Sequence, residues 1–145
     1  YGLQCLGDSQ EVRQLVAALT VKVQQCREDL NAQAVGNALY GQQCLGDSQE
    51  VRQLVAALTV KVQECRENLS AQNVGNALYG LQCMGDSPEL RKLLTALAEK
   101  VQECREDLSA QNVGNALNVA VVDMLAGNSS PEQFIDTVNT AGAQG

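Results

Sequence analysis

The feature that most constrains this chain is a tandem repeat of 39 residues. The copies are residues 1–39, 40–78 and 79–117, of which the first two differ at five positions and the second and third at ten. A repeat of this length is one supersecondary unit that cannot bury its apolar face alone, so neighbouring copies must stack on one another. The 145 residues are therefore expected to form a stack of similar units without a single central core.

Each copy predicts two helices, of which the first is the longer. In the middle copy, apolar residues recur at three- and four-residue spacing from about Ser48 to Glu67, which indicates one apolar stripe along a helix. Ser48 is a suitable N-cap, and Pro88 directly after Ser87 in the third copy supports that frame. The segment Asp47–Glu50 offers a competing capping box that begins one residue earlier.

The shorter helix is predicted from about Ala71 to Met84. Ser70 is its expected N-cap, and Gly85 is expected to take the left-handed conformation that ends it. Gly75 lies inside the helix, where glycine costs about 1 kcal/mol. A glycine repeated at this position indicates close packing of backbones, or alternatively a ligand that approaches the backbone.

These units predict an all-α fold, an α-solenoid of tandem helix-turn-helix repeats with a period of 39 residues. Residues 118–145 are expected to form a C-terminal cap, made of the end of the last repeat helix and one short helix that covers the apolar end of the stack. Residues 1–6 correspond to only the second half of a short helix. The chain is therefore expected to be a fragment, a processed product or an engineered array.

The composition argues against several functions. With no histidine, the chain has no His-based triad and no imidazole ligand for a metal. The net charge of −7 argues against a broad grip on duplex DNA, and the least polar stretches are broken by Asn and Gln, so no membrane insertion is expected. The sequence also lacks a Gly-rich phosphate loop and a nucleophile elbow. We therefore predict a non-enzyme that needs no cofactor.

The six cysteines are spaced alternately by 21 and 18 residues, and none belongs to a CxxC pair. This spacing gives little support to a metal site. Cys44 and Cys65 flank a helix that separates them by roughly 27 Å, and equivalent cysteines of adjacent copies are expected about 8–10 Å apart. Both separations exceed the roughly 7 Å limit for a disulfide. We expect buried free thiols, which favour a reducing compartment.

The short helices carry a repeated set of amide and phenol side chains at three- and four-residue spacing. These candidate ligand-facing residues are Gln33, Asn37, Tyr40, Gln72, Asn76, Tyr79, Gln111 and Asn115. Amides can bond base edges and tyrosines can stack on bases, which favours a nucleic-acid ligand. The alternative is structural: the amides cross-link neighbouring copies, and the tyrosines fill the groove between hairpins.

The long helices and their ends carry a second, basic set. This candidate polar ladder consists of Arg13, Arg52, Arg66, Arg91 and Arg105. Regularly spaced arginines could follow a phosphate backbone. They could equally form a solvated face with nearby carboxylates, and because each copy is itself acidic, a strong phosphate track is not expected.

One phrase of the repeat resembles a known family. Leu30–Tyr40, Leu69–Tyr79 and Leu108–Leu117 carry the pattern Leu-(Ser/Asn)-Ala-Gln-x-x-x-Asn-Ala-Leu, followed in the first two by tyrosine. This pattern resembles that of the octotricopeptide-repeat class of helical hairpin arrays. The resemblance implies an α-solenoid that binds single-stranded RNA inside chloroplasts or mitochondria.

Two kinds of function follow from the sequence. The first is an RNA-binding module with single-stranded RNA on its concave face. The second is a structural or protein-interaction scaffold, part of a larger assembly or an engineered array, with a protein partner on that face.

Overall fold

The computed structural model describes residues 7–43, 45–81 and 84–114, and within these ranges the chain is helical with no strand. A last helical stretch covers 110–114. The all-α class is confirmed, while the predicted cap at 118–145 lies outside the described residues. The complete helices are α1 (Gln10–Gln25), α2 (Ala32–Tyr40), α3 (Gln49–Glu64), α4 (Ala71–Gly80) and α5 (Pro88–Glu103).

Every helix begins at a polar side chain that accepts a hydrogen bond from the first turn. The five N-caps are Ser9, Asn31, Ser48, Ser70 and Ser87. Ser48 Oγ accepts from the backbone N–H of Val51 at 3.3 Å, so the Ser48 frame is confirmed and the frame one residue earlier is wrong. Pro88 lies in the first turn of α5, where a missing N–H costs nothing.

The long helix ends earlier than its apolar pattern predicts. α3 stops at Glu64 and not at Glu67, because Cys65 turns to extended backbone with φ −62° and ψ 119°. The pattern did not show this end because the chain stays buried beyond it: Cys65 and Leu69 are both buried after the last helical turn.

The short helix also ends early. α4 stops at Gly80, with Leu81 as its C-cap, so the expected end near Met84 is wrong. Gly85 is not the cap of this helix. In the other two copies its counterparts, Gly7 and Gly46, have positive φ in the turn that leads into the long helix. In those two copies the glycine therefore serves that turn, where it takes the left-handed conformation that glycine allows. Gly85 itself does not have a positive φ, so its expected left-handed conformation is wrong.

Equivalent helices of successive copies pack against each other. α1 contacts α3, α3 contacts α5, and α2 contacts α4, with a smaller contact between α2 and α3. One apolar cluster runs through all three copies, and Val16, Val55 and Leu93 are completely buried in it. The described residues thus share a core that is continuous along the stack of copies.

The short helices approach each other at glycine. A Cβ atom built on Gly36 would lie 3.1 Å from the Cα of Asn73, and one built on Gly75 would lie 3.0 Å from the side-chain carbon Cγ of Asn112. The prediction that this glycine marks close backbone packing is confirmed at Gly36, whereas at Gly75 the close neighbour is the side chain of Asn112.

Two polar contacts recur where one copy meets the next. Lys61 Nζ donates to the carbonyl oxygen of Cys26 at 2.6 Å, and the carboxylate of Glu67 accepts from the N–H of Ala32 at 2.9 Å. The next pair of copies repeats both contacts, with Lys100 bonded to Cys65 and Glu106 bonded to Ala71. A lysine therefore satisfies a carbonyl at the end of the preceding long helix, and a glutamate satisfies the first N–H of the preceding short helix.

None of the helices in the described ranges combines the length and the apolar character needed to cross a bilayer.

Candidate functional site

A groove with a volume of about 370 Å³ lies between α2 and α4. All of its lining side chains are polar and uncharged. They are Gln33, Asn37, Ser70, Gln72, Asn73 and Asn76. Four of these six belong to the ligand-facing set predicted from the sequence, so the structure brings those four amides together in one place.

The helical repeat explains how the four amides meet. Gln33 and Asn37 are four residues apart on α2, and Gln72 and Asn76 occupy the same positions on α4, so each pair shares one helix face. The two glutamines are exposed, whereas the two asparagines are partly buried. The close approach of α4 at Gly36 places the two faces side by side.

The chemistry of this groove is that of the carboxamide group. Each amide has an N–H donor side and a carbonyl acceptor side, so it can pair with a flat partner that also carries both. Nucleic-acid base edges are such partners, and so are peptide groups. No charged side chain lines the groove, so recognition there must come from hydrogen bonds and shape.

Sequence reasoning missed two of the lining residues. Ser70 was identified only as a helix cap, a role it has, since its Oγ accepts from the N–H of Asn73 at 3.2 Å. Asn73 recurs as Asn112 but is replaced by Ala34 in the first copy, which hid it from the repeated pattern. The recurrence in two copies was the only available signal.

The two tyrosines of the predicted set stack on each other. The ring centroids of Tyr40 and Tyr79 are 5.4 Å apart with an interplanar angle of 18°. The hydroxyl of Tyr79 also accepts from Gln43 Nε2 at 3.2 Å. Each ring therefore has one face covered by its counterpart, and this stack joins neighbouring copies.

The third copy of the predicted set is described only in part. Gln111, the counterpart of Gln33 and Gln72, is exposed. Asn115 lies outside the described residues.

Three of the five predicted arginines are held by aspartates. Each uses Nε and Nη2 to bond both oxygens of the carboxylate five residues before it, as in Arg52 with Asp47 at 2.9 and 2.8 Å. The equivalent pairs are Arg13 with Asp8 and Arg91 with Asp86. These guanidinium groups are thus locally neutralised, which weakens their attraction for a phosphate backbone.

These pairs shift the ionisation of both partners. Hydrogen bonds from the arginine lower the pKa of Asp8, Asp47 and Asp86; burial opposes this shift, and the positive charge of the arginine adds a smaller lowering effect. The same bonds raise the pKa of Arg52. The three carboxylates are therefore ionised at neutral pH, as the bidentate pairs require.

The other two arginines lie near the ends of long helices. Arg66 Nε is 3.4 Å from Asp29 of the preceding copy, and Arg105 is exposed with no ion pair among the described residues. None of the five arginines lines the amide groove.

A pH prediction follows from the Asp47–Arg52 pair. The pKa of Asp47 is lower in the folded than in the unfolded chain, so its contribution to stability is complete above the ordinary value of 3.8 and is lost as the pH falls through the lower folded value. Asp47→Asn should cost no more than about 1 kcal/mol at pH 7, because the pair is solvent-screened. Urea denaturation at pH 7 and pH 3 should show a smaller acid-induced loss for this variant, and an unchanged loss would contradict the assignment.

The cysteines of the described ranges are free thiols. Cys65 is buried as predicted and Cys104 is partly buried, but Cys26 is exposed, so its predicted burial is wrong. Cys26 ends the first long helix, which has no preceding helix packed against it among the described residues. The remaining three, Cys5, Cys44 and Cys83, lie outside those ranges, within which no cluster of His, Cys, Asp or Glu could hold a metal ion.

Comparison with protein families, with curated proteins and with solved structures finds no match to this chain.

Proposed function

We propose that the chain is an α-solenoid of helical hairpins that binds single-stranded RNA without catalysing a reaction. The observation that carries this proposal is the convergence of Gln33, Asn37, Gln72 and Asn76 on one groove between consecutive short helices. The packing of equivalent helices in successive copies supports the solenoid arrangement.

The chemistry of the groove favours unpaired bases over a duplex. Amide side chains bond base edges, and those edges are free only in single strands, loops and bulges. The phosphate contacts that dominate duplex binding are disfavoured here by the net charge of −7 and by the arginine–aspartate pairs. The resemblance to octotricopeptide repeats supports the same ligand and a chloroplast or mitochondrial location.

The groove is suited to binding and not to chemistry. Its only hydroxyl, that of Ser70, already caps α4, and the other lining groups are amides, which neither titrate near neutral pH nor act as nucleophiles.

The proposal predicts RNA binding that depends on the amides and only weakly on salt. Replacing Asn37 and Asn76 together by alanine should weaken binding to a homopolymeric single-stranded RNA about thirtyfold or more, since each good amide–base pair is worth about 1–3 kcal/mol and two are lost. Fluorescence anisotropy titrations at low and moderate salt measure both effects. Gln63→Ala, which removes an exposed amide on α3, is the matched control and should leave the affinity unchanged.

Absence of binding to every homopolymer at both salt concentrations would contradict the proposal. Equal losses in the double variant and in the control would also contradict it, because binding would then not pass through the groove.

A second candidate function is that of a structural or protein-interaction scaffold. The uncharged lining favours it, because carboxamides pair with the peptide groups of an extended protein segment as readily as with bases. This function predicts a protein partner whose binding is weakened by the same double variant, together with no affinity for RNA. Affinity purification with and without ribonuclease treatment separates the two functions.

A further inference from the structure

The first copy exposes a face that the later copies bury. Leu15 and Leu19 on α1 are 45% and 36% exposed. Their counterparts in the other copies are at most 4% exposed, and these are Leu54, Leu58, Leu93 and Leu97. The difference arises because α3 and α5 each have a preceding long helix packed on them and α1 has none among the described residues. We call the exposed side of the first copy, with Leu15, Leu19 and Lys22, the leading face.

The third copy exposes the opposite face. Leu94 and Val113 are 38% and 41% exposed. Their counterparts, buried at 1% or less, are Val16, Val55, Val35 and Val74. We call this side, with Leu94 and Val113, the trailing face. Inside the chain these two sides meet. The side of each copy that corresponds to the leading face packs on the preceding copy, against the side that corresponds to its trailing face.

The lysine, glutamate, carbonyl and N–H groups that form the hydrogen bonds between successive copies also occur on the leading and trailing faces. Lys22 and Glu28 are the counterparts of the lysine and glutamate that cross to the preceding copy, and both side chains are exposed without a bond among the described residues. At the other end, the carbonyl of Cys104 and the backbone N–H of the exposed residue Ala110 are the counterparts of the groups to which that lysine and glutamate bond.

Charge adds a direction to this match. Arg66 pairs with Asp29 where the second copy meets the first. The leading face has Arg27 at the same position as Arg66, and Asp107 near the trailing face is the counterpart of Asp29. When a leading face contacts a trailing face, Arg27 meets the opposite charge of Asp107. When two leading faces contact each other, Lys22 and Arg27 of one chain lie near the same positive residues of the other chain.

We propose that the leading face docks on the trailing face of a second copy of this chain, head to tail. The new contact reproduces the one between internal copies, with Leu15 and Leu19 covered by the side of α5 that carries Leu94. Such a contact is heterologous and leaves a free end on each chain, so association continues beyond a dimer.

Sedimentation velocity of the full chain over a wide range of concentrations tests this proposal. The average mass should rise with concentration past that of a dimer. Leu15→Glu should weaken association about tenfold or more, because it puts a charge into the centre of the contact. Val21→Glu is the matched control: Val21 is also exposed on α1, and its counterpart in the third copy is Glu99. It should leave association unchanged, and circular dichroism should show the same helix content in both variants.

Charge reversal tests the direction. Arg27→Glu and Asp107→Arg should each weaken association, and an equimolar mixture of the two variants should restore it. A monomer at all concentrations would overturn the proposal. A dimer that is lost in Leu15→Glu but unaffected by Asp107→Arg would also overturn it, because that result describes two leading faces in contact.

Discussion

Gly80→Ala is expected to lower the free energy of unfolding by about 3 kcal/mol or more, because the added methyl group overlaps the backbone of a neighbouring helix. A Cβ atom on Gly80 would overlap the carbonyl oxygen of Leu39 and would lie 2.5 Å from its carbonyl carbon and 2.7 Å from the Cα of Tyr40. These are backbone atoms of α2, so no side-chain rotation relieves the overlap. The last turn of α4, which ends at Gly80, must move away from α2, and this movement disturbs the contact between the short helices. Urea denaturation followed by circular dichroism measures the loss.

Gly114→Ala provides the matched control. Gly114 is also helical, but a Cβ atom built there meets nothing within 4 Å among its surroundings. Alanine favours a helix over glycine by about 1 kcal/mol, so this variant should be as stable as the parent or slightly more stable. Unchanged stability of Gly80→Ala would show that the short helices do not approach as closely as the structure describes.

The sequence was sufficient to predict the helices and their starting points. The apolar spacing and the serines before each helix, such as Ser48 and Ser70, act within a few residues, so a local pattern contains the information. The repeated Gly75 was informative for a related reason, because a residue that is costly in a helix must be compensated by packing.

The sequence was insufficient for the helix ends and for the partners of the arginines. Leu81 is buried although it lies beyond the last turn of α4, so the apolar pattern continues where the helix does not. The bond from Arg52 to Asp47 spans a helix start, where spacing rules for a continuous helix do not apply. The sequence predicted that the amides share one face of the short helices. It did not predict the full lining of the groove, because that lining depends on how closely two copies pack.

Gln42 shows the same limit at one position. The first and third copies have Leu3 and Leu81 there, and the repeat therefore marks the position as apolar. The glutamine is nevertheless buried, its Nε2 bonded to the carbonyl of Ala38 at 3.3 Å, and its Oε1 has no hydrogen-bond partner among the described residues. The repeat pattern therefore predicts that this position is buried, but it does not predict which hydrogen bonds a polar residue such as Gln42 makes there.

Lysine burial is the feature that local patterns predict least well, because a lysine on a helix ordinarily extends into solvent. Lys61 is buried because its side chain reaches the end of α1 in the preceding copy, where backbone carbonyl groups lack a helical donor. Its ammonium group satisfies the carbonyls of Cys26 and Glu28, at 2.6 and 3.3 Å, and lies 3.2 Å from a carboxylate oxygen of Glu64. The role of Lys61 is therefore a contact between two copies, which the sequence of one helix does not show.

Lys61→Met is accordingly expected to lower the free energy of unfolding by about 2 kcal/mol, since hydrogen bonds to charged groups are worth about 1.5–3 kcal/mol. Methionine keeps the apolar stem but leaves the carbonyl of Cys26 without its donor. Lys100→Met should lose a similar amount, because Lys100 makes the equivalent bond to Cys65 at 2.7 Å. Lys22→Met is the matched control and should stay within about 0.5 kcal/mol of the parent at low protein concentration, since Lys22 is exposed. Equal losses in all three variants, measured by urea denaturation, would mean that the cost comes from the helix itself and not from the contact between copies.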